Sequence, residues 1–204
     1  LFKQFQITIF TPVKKNDTDM IFPIVAYGDP VLRKKGEEIT KDYPELSKLI
    51  DDMFDTMHKS RGVGLAAPQI GKAIRLFIID SRKMYDEGEE EKGLEEVFIN
   101  AQIIDEEGEE WRFEEGCLSI PTIREDVSRQ PKITVQYYDR NFKFQERTFD
   151  DLTARVIQHE YDHIEGILFI DHLKPLKKSL LKGKLEKISK GMVDVNYKMK
   201  FPKK

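Results

Sequence analysis

Two histidines four residues apart limit the folds that are open to this chain. They lie in the segment His159-Glu160-Tyr161-Asp162-His163. On a helix, residues four apart share a face with their Cβ atoms roughly 6 Å apart, so both imidazoles can bind one ion. Leu152 and Val156 share that face, which predicts that the histidines point into the core. Because an unpaired buried imidazole is costly, a metal ion is the favoured partner, with backbone carbonyls as the alternative.

Helix signals surround this segment and recur elsewhere. Asp150 and Asp151 suit a helix N-terminus, where carboxylates meet free N–H groups, and Gly166 suits the other end. Apolar residues at helical spacing predict a helix over residues 45–59 and a Lys-rich helix over about 175–190. The apolar side of the Lys-rich helix is predicted to consist of Leu176, Leu180, Leu181, Leu185 and Ile188.

Strand signals are short runs of branched and aromatic residues. They predict strands at residues 74–79, 97–104, 132–138 and 142–149. Strands and helices do not alternate regularly, which predicts an α+β fold. Its largely antiparallel sheets pack around the central helix that carries the histidines, and a C-terminal helix follows. A length of 204 residues suits one domain.

Composition excludes one class of protein and predicts a compartment. The net charge is −3, 35% of residues are charged, and no apolar run approaches the roughly 18 residues of a membrane span. A membrane protein is therefore excluded. Cys117 is the single cysteine and cannot form an internal disulfide. A free thiol predicts a reducing compartment, which we take to be the cytoplasm.

A catalytic metal site needs a third protein ligand and an open position. Cys117 is the best candidate for that ligand, in the segment 115–121, where Gly116 allows a close backbone approach. Glu160 follows the first histidine directly, so it can lean over the ion and move a proton. His58 and His172 lack such neighbours and are predicted to be ordinary structural histidines.

A small-residue loop, Gly62-Val63-Gly64-Leu65-Ala66-Ala67-Pro68-Gln69, lies between the first helix and the first strand. Its glycine spacing matches the sequence pattern of a dinucleotide-binding loop, but a helix precedes it where a strand is required. That match therefore fails. This loop, the segment 115–119 and the segment 158–163, in this order and at these separations, resemble the three signature motifs of peptide deformylases. The resemblance spans about residues 20–185.

The resemblance implies a domain plan and a function. Residues 20–190 would be the catalytic domain, 191–204 a basic tail, and 1–19 an upstream extension, since Met20 looks like a natural start. The activity implied is the metal-dependent removal of the formyl group from N-formylmethionyl nascent peptides. One Fe²⁺ per chain is the implied cofactor, which Zn²⁺, Ni²⁺ or Co²⁺ can replace.

The resemblance also implies a role for each motif residue. The implied metal ligands are Cys117, His159 and His163, with Glu160 as the general base and acid. The implied oxyanion donors are Gln69 and the backbone N–H of Leu118. The implied substrate contacts are Val63, Gly64, Phe113, Glu115, Gly116, Leu152 and Val156. Arg155 stands at a further pocket position where an apolar residue is common.

Two other functions compete with this interpretation. A zincin-type metalloprotease also carries two histidines around a glutamate, but it takes its third ligand from a downstream Glu or His. A nucleic-acid or ribosome-binding module would suit residues 174–204, where 11 Lys outweigh two acidic residues for a net charge of +9. No aromatic stacking platform accompanies them, so specific nucleic-acid binding is not expected. The lysines predict at most an added contact with the ribosome surface.

Overall fold

The computed structural model describes residues 20–202. Residues 1–19, which the sequence predicts to be an extension, lie outside the described residues, as do the last two lysines. Within the described part, three α-helices, five short 3₁₀ helices and nine strands form an α+β fold, as predicted. Across residues 20–202, no helix combines the length and the apolar character that crossing a membrane requires.

A five-stranded antiparallel sheet forms the frame of the fold. Its strands are β2 (Gly64–Ala66), β3 (Leu76–Asp80), β4 (Glu95–Glu107), β7 (Lys132–Tyr138) and β8 (Phe144–Asp150). They lie in the order β2-β3-β4-β7-β8, so the neighbours are mostly consecutive in the chain.

Each predicted strand overlaps one strand of the sheet, with bounds that differ by up to three residues, and the turn that precedes β8 explains one of these differences. That strand begins at Phe144 rather than at residue 142, because Phe142 has a positive φ of 58° and the Asp139 side chain accepts from the N–H of Lys143. A turn is thus closed between β7 and β8, and its residues cannot continue the ladder.

The central helix, α2 (Asp151–Ile164), packs against this sheet. Ala154 and Ile157 are fully buried among sheet aromatics, where the Phe77 and Phe98 rings stack with centroids 4.7 Å apart. Burying an Ile or Phe side chain stabilises the fold by about 1.5–3 kcal/mol. The helix begins where predicted, although the Asp150 side chain makes no capping hydrogen bond.

The first helix, α1 (Leu46–Lys59), packs through Leu49, Ile50, Met53 and Met57. The C-terminal helix, α3 (Pro175–Ser189), buries Leu181, Leu185 and Ile188. The prediction that Leu176 and Leu180 belong to this apolar side is wrong, since they are 76% and 72% exposed. One residue turns a helix by about 100°, so Leu180 points well away from the stripe that begins at Leu181.

A hairpin that the apolar strand patterns do not predict completes the domain. It consists of β5 (Trp111–Cys117) and β6 (Ile120–Arg129), joined by the two-residue turn at Leu118 and Ser119. Its strands contain many charged residues, so no apolar run marks them in the sequence. The register shifts between Gly116 and Cys117, which is where the hairpin meets the central helix residues.

The first and last strands pair with each other. Strand β1 (Ile24–Val25) lies parallel to β9 (Met199–Lys200). The described part of the predicted basic tail therefore returns to the domain. Residues 191–200 alternate between half-buried and exposed positions, as a strand on a surface does.

Candidate metal centre

Two elements bring the three predicted ligands together. Cys117 ends β5, while His159 and His163 lie four residues apart on α2. Their ligand atoms all lie within 4.8 Å of one another. The Cys117 Sγ is 3.3 Å from Nε2 of His163. One thiol and two imidazoles thus converge from two separate parts of the chain.

A buried carboxylate orients the more accessible histidine. Oε2 of Glu115 lies 2.9 Å from Nδ1 of His159. A proton on Nδ1 leaves Nε2 free to bind an ion, and such an outer hydrogen bond fixes the ring. Arg129 holds the same carboxylate with two hydrogen bonds, of 2.7 and 3.0 Å. Burial alone would raise the pKa of Glu115, but His159 and Arg129 hold it well below its usual value.

The thiol is prepared to act as an anionic ligand. Burial alone would raise the pKa of Cys117, yet the His163 and His159 imidazoles lower it to about 5. A thiolate is therefore favoured near neutral pH. Gln69 adds a hydrogen bond from Nε2 to Sγ at 3.5 Å. Its Oε1 accepts from the N–H of Ala66 at 2.8 Å, which turns the amide nitrogen towards the site.

Glu160 has the properties of a proton carrier. It is 4% exposed, and burial raises its pKa to about 7. A carboxyl with such a pKa can both accept and release a proton near neutral pH. Among the described residues, its Oε2 has no hydrogen-bond partner. The carboxylate lies so close to Gly64 that a Cβ there would be 2.4 Å from Oε1.

The donor set fits a divalent transition metal ion. One thiolate with two imidazoles suits ions such as zinc, iron, nickel and cobalt, and three protein ligands leave a position open for catalysis. A second group of possible ligands, at His58, Asp80 and Glu95, fits an ion less well. There the Arg82 guanidinium already bonds Asp80 at 2.8 and 3.0 Å and Glu95 at 2.6 Å.

The two other histidines contact carboxylates instead. His58 lies 3.1 Å from Asp80, and His172 lies 2.8 Å from Asp162, which Arg129 also contacts. Both therefore have structural partners, as the sequence predicts.

A cavity of about 990 Å³ opens onto this site. Six of the seven predicted substrate contacts line it: Val63, Gly64, Phe113, Glu115, Gly116 and Val156. Gln69, Leu118, Cys117, His159 and Glu160 line it as well. His163 is only 1% exposed and lies behind the others.

Leu152 does not line the cavity. It is half-buried in the first turn of α2, and it precedes His159 by seven residues. That spacing keeps it on the same helix face but places it about 10 Å away along the axis. Leu152 therefore shares a face with His159, but the distance along the helix takes Leu152 beyond the cavity wall.

Arg155 does line the cavity, although its charge is engaged elsewhere. Its guanidinium donates to Glu115, to the carbonyl of Val127 and to the carbonyl of Trp111, at 3.1, 2.9 and 2.7 Å. It also lies 4.5 Å from the centroid of the Trp111 ring. The arginine therefore braces the hairpin against α2.

Sequence reasoning missed one wall of the cavity. Residues 194–197, in the segment predicted to be a basic tail, line it together with Arg61, Met84 and Arg124. A signal was available, because Val193, Val195, Tyr197, Met199 and Phe201 alternate with polar residues. Strict alternation of this kind is typical of a half-buried strand.

Known proteins resemble this chain in sequence and in fold. A family model described as polypeptide deformylase matches residues 21–179. A peptide deformylase from Christiangramia forsetii is 58% identical over 190 residues, which cover 90% of this chain and 97% of that protein. One from Flavobacterium johnsoniae is 53% identical, covering 89% and 96%.

Solved structures agree with this assignment. The crystal structure of a peptide deformylase from Legionella pneumophila matches with a TM-score of 0.73 and 42% identity, covering 85% of this chain and 98% of that one. The one from Thermotoga maritima matches with a TM-score of 0.67 and 38% identity, covering 76% and 99%. The chain belongs to the peptide deformylase family.

Proposed function

We propose that this protein removes the N-formyl group from the N-terminal formylmethionine of newly made polypeptides and releases formate. The observation that carries this function is the position of Glu160, buried and with Oε2 unpartnered among the described residues, beside the converging Cys117, His159 and His163. A proton carrier next to such a donor set is what hydrolysis of an amide requires.

The metal ligands are Cys117, His159 and His163. A bound divalent ion supplies Lewis acidity, which makes water a better nucleophile near neutral pH and polarises a carbonyl. The thiolate and imidazole donors suit Fe²⁺, with Zn²⁺, Ni²⁺ or Co²⁺ as substitutes. Metal analysis of protein purified without oxygen tests the identity of the ion. One equivalent of iron per chain is the expected result, and zinc in its place would contradict it.

Glu160 moves the proton. Its carboxylate accepts a proton from the attacking water and then delivers it to the departing amine of methionine. A pKa near 7 suits both steps, because the group is neither a strong acid nor a strong base at neutral pH. The products are formate and a peptide with a free N-terminal methionine.

The negative charge that develops on the formyl oxygen needs hydrogen-bond donors. The Gln69 amide is held with its nitrogen towards the site by the Ala66 N–H. The backbone N–H of Leu118, in the hairpin turn, is the second donor. Loss of one donor of this kind typically costs about 3–4 kcal/mol of transition-state stabilisation.

The cavity holds the methionine side chain and the peptide backbone. Val63, Phe113 and Val156 supply an apolar surface, which suits a flexible thioether. The extended segments at Gly64 and Gly116 can pair with the substrate main chain, which leaves later residues free to vary.

An assay with two substrates tests this function. A formyl-Met-Ala-Ser tripeptide should release formate, whereas casein should remain intact, as the family assignment requires. Casein cleavage without formate release would instead support a zincin-type protease. The acetylated tripeptide is the matched control, since it presents the same side chains behind a bulkier acyl group.

The C-terminal helix supports a second proposal, that the enzyme acts in the cytoplasm at the ribosome surface. Lys182, Lys184 and Lys187 are exposed on α3, beside the exposed Leu176 and Leu180. A basic surface binds phosphate-rich partners through counterion release, so the affinity should fall steeply with salt.

Co-sedimentation with ribosomes at low salt tests this contact. Changing Lys182, Lys184 and Lys187 to Gln should weaken binding several-fold and leave tripeptide hydrolysis intact. The control changes three exposed lysines elsewhere, Lys34, Lys41 and Lys59, to Gln. Equal losses in both triple variants would show only a general charge effect and would refute a specific surface on α3.

A further inference from the structure

The C-terminal segment forms part of the cavity although it follows the region that the family model matches, residues 21–179. Hydrogen bonds between β1 and β9 hold the segment in place. The N–H of Ile24 donates to the carbonyl of Lys198, and that of Ala26 donates to Lys200, both at 2.9 Å. The segment is therefore fixed to the domain just after Tyr197.

Both carbonyls of the hairpin turn accept hydrogen bonds from this small sheet and its neighbours. The Tyr197 hydroxyl donates to the carbonyl of Leu118 at 2.8 Å. The N–H of Tyr27, two residues after β1, donates to the carbonyl of Ser119, also at 2.8 Å. Two successive peptide units of the turn are thus held in place. Tyr197 lies about 80 positions away in the chain from its partner, and Tyr27 about 90.

The hairpin ladder alone does not impose a regular geometry on this turn. The register shifts between Gly116 and Cys117, directly before Leu118. A register shift weakens the regular pattern of strand hydrogen bonds, so the orientation of the next peptide units depends on other partners. Leu118 and Tyr197 also pack against the same core cluster, which includes Met53, Met57 and Leu65.

The tyrosine is suited to remain a donor. Burial, with a further contribution from the Cys117 thiolate, raises the pKa of Tyr197 above its usual value. The hydroxyl therefore keeps its proton across the pH range in which an enzyme of this kind works. A hydroxyl that keeps its proton can hold the Leu118 carbonyl throughout the reaction.

We propose that Tyr197 is a positioning residue for the hydrolysis, because its hydroxyl fixes the turn that presents the Leu118 N–H to the formyl oxygen. This inference rests on the oxyanion role proposed above for that N–H. Without the hydroxyl, the Leu118–Ser119 peptide unit can rotate, and the preceding N–H loses its fixed direction. The substrate cavity itself keeps its shape, since the phenyl ring still packs in place.

The test is Tyr197→Phe in the full chain, with Tyr137→Phe as the matched control. Tyr137 also donates a hydrogen bond, to Glu96 at 3.2 Å, but it does not line this cavity. For Tyr197→Phe, kcat should fall about 3- to 10-fold, the loss expected from one neutral hydrogen bond, with KM changed less than about twofold. Amide hydrogen exchange over residues 118–120 should become faster in the metal-free protein as well. The control should alter neither quantity.

An unchanged kcat in Tyr197→Phe would overturn the proposal, and so would a rise in KM alone, which would make the residue part of the binding wall only. Exchange over residues 118–120 that matches the wild-type protein would also overturn it. A wild-type protein that releases no formate would instead refute the proposed function. The exchange measurement still tests whether the hydroxyl fixes the turn in that case.

Discussion

Replacing Gly64 with alanine adds a single methyl group, and we expect this change to lower activity far more than stability. A Cβ at this position would lie 2.4 Å from Oε1 of Glu160 and 2.7 Å from its Cδ and Cγ. Gly64→Ala therefore places a methyl group where the proton carrier now lies. The backbone does not oppose the change, because Gly64 is not among the glycines with a positive φ.

The size of the effect follows from these distances. Ordinary contacts begin at 3.4 Å, so the carboxylate must move by about 1 Å. A displacement of about 1 Å in a reacting group can lower the rate roughly 100-fold. Stability should suffer less, because the atoms in the way belong to a side chain that can shift. Overpacking costs about 1–3 kcal/mol, and the stiffer unfolded chain offsets about 0.4–1 kcal/mol of that.

Formate release from the tripeptide measures the effect, with melting temperature and bound metal recorded for the same samples. The expected result for Gly64→Ala is a fall in kcat/KM of roughly 100-fold at near-normal metal content. The control is Gly183→Ala on α3, where an added Cβ meets nothing within 4 Å. Wild-type kcat/KM in Gly64→Ala would refute the argument that Glu160 must occupy its present position.

Three further changes test the roles of neighbouring groups. Glu160→Gln should lower kcat at least about 100-fold and retain the metal, because proton transfer is lost while the ligands stay; a metal-free product would contradict this division of roles. Cys117→Ser should weaken metal binding, since a hydroxyl is a poorer ligand than a thiolate, and full metal content on analysis would remove Cys117 from the site. Arg129→Met should lower the free energy of unfolding at pH 7 by about 3 kcal/mol, because it leaves Glu115 and Asp162 short of their buried partner. The pKa of Glu115 is lowered on folding, so its contribution is present above the ordinary value of 4.5 and is lost as the pH falls below it. Urea unfolding of metal-free protein should therefore show a smaller deficit at pH 3.5 than at pH 7, and a constant deficit would count against the ion pair as its cause.

Local patterns allowed the helices and most sheet strands to be predicted. The spacing of apolar residues along α1 and α2 depends only on residues within one or two turns, and it gave helix bounds close to those observed. The same holds for two of the three metal ligands. His159 and His163 lie four apart on one helix, so their proximity follows from helix geometry alone.

Other features depend on partners that are distant in the chain. Cys117 contacts His163, which is 46 residues away in the chain, and Tyr197 contacts Leu118, which is 79 residues away. The family resemblance predicts the contact between Cys117 and His163, but no sequence pattern predicts the one between Tyr197 and Leu118. The hairpin of β5 and β6 was also missed, because its buried Arg129 and Glu115 look like surface residues until they are paired with each other.

Short-range periodicity is enough to predict the α+β class, the central helix and the pair of imidazoles on one of its faces. The docking of elements sets three other features: Leu152 lies beyond the cavity, Leu176 and Leu180 face outwards, and the C-terminal segment closes one cavity wall. Such features depend on contacts between elements that are far apart in the chain. A hydrogen bond such as that from Tyr197 to Leu118 forms only once β1 and β9 have paired, and no local pattern encodes that pairing.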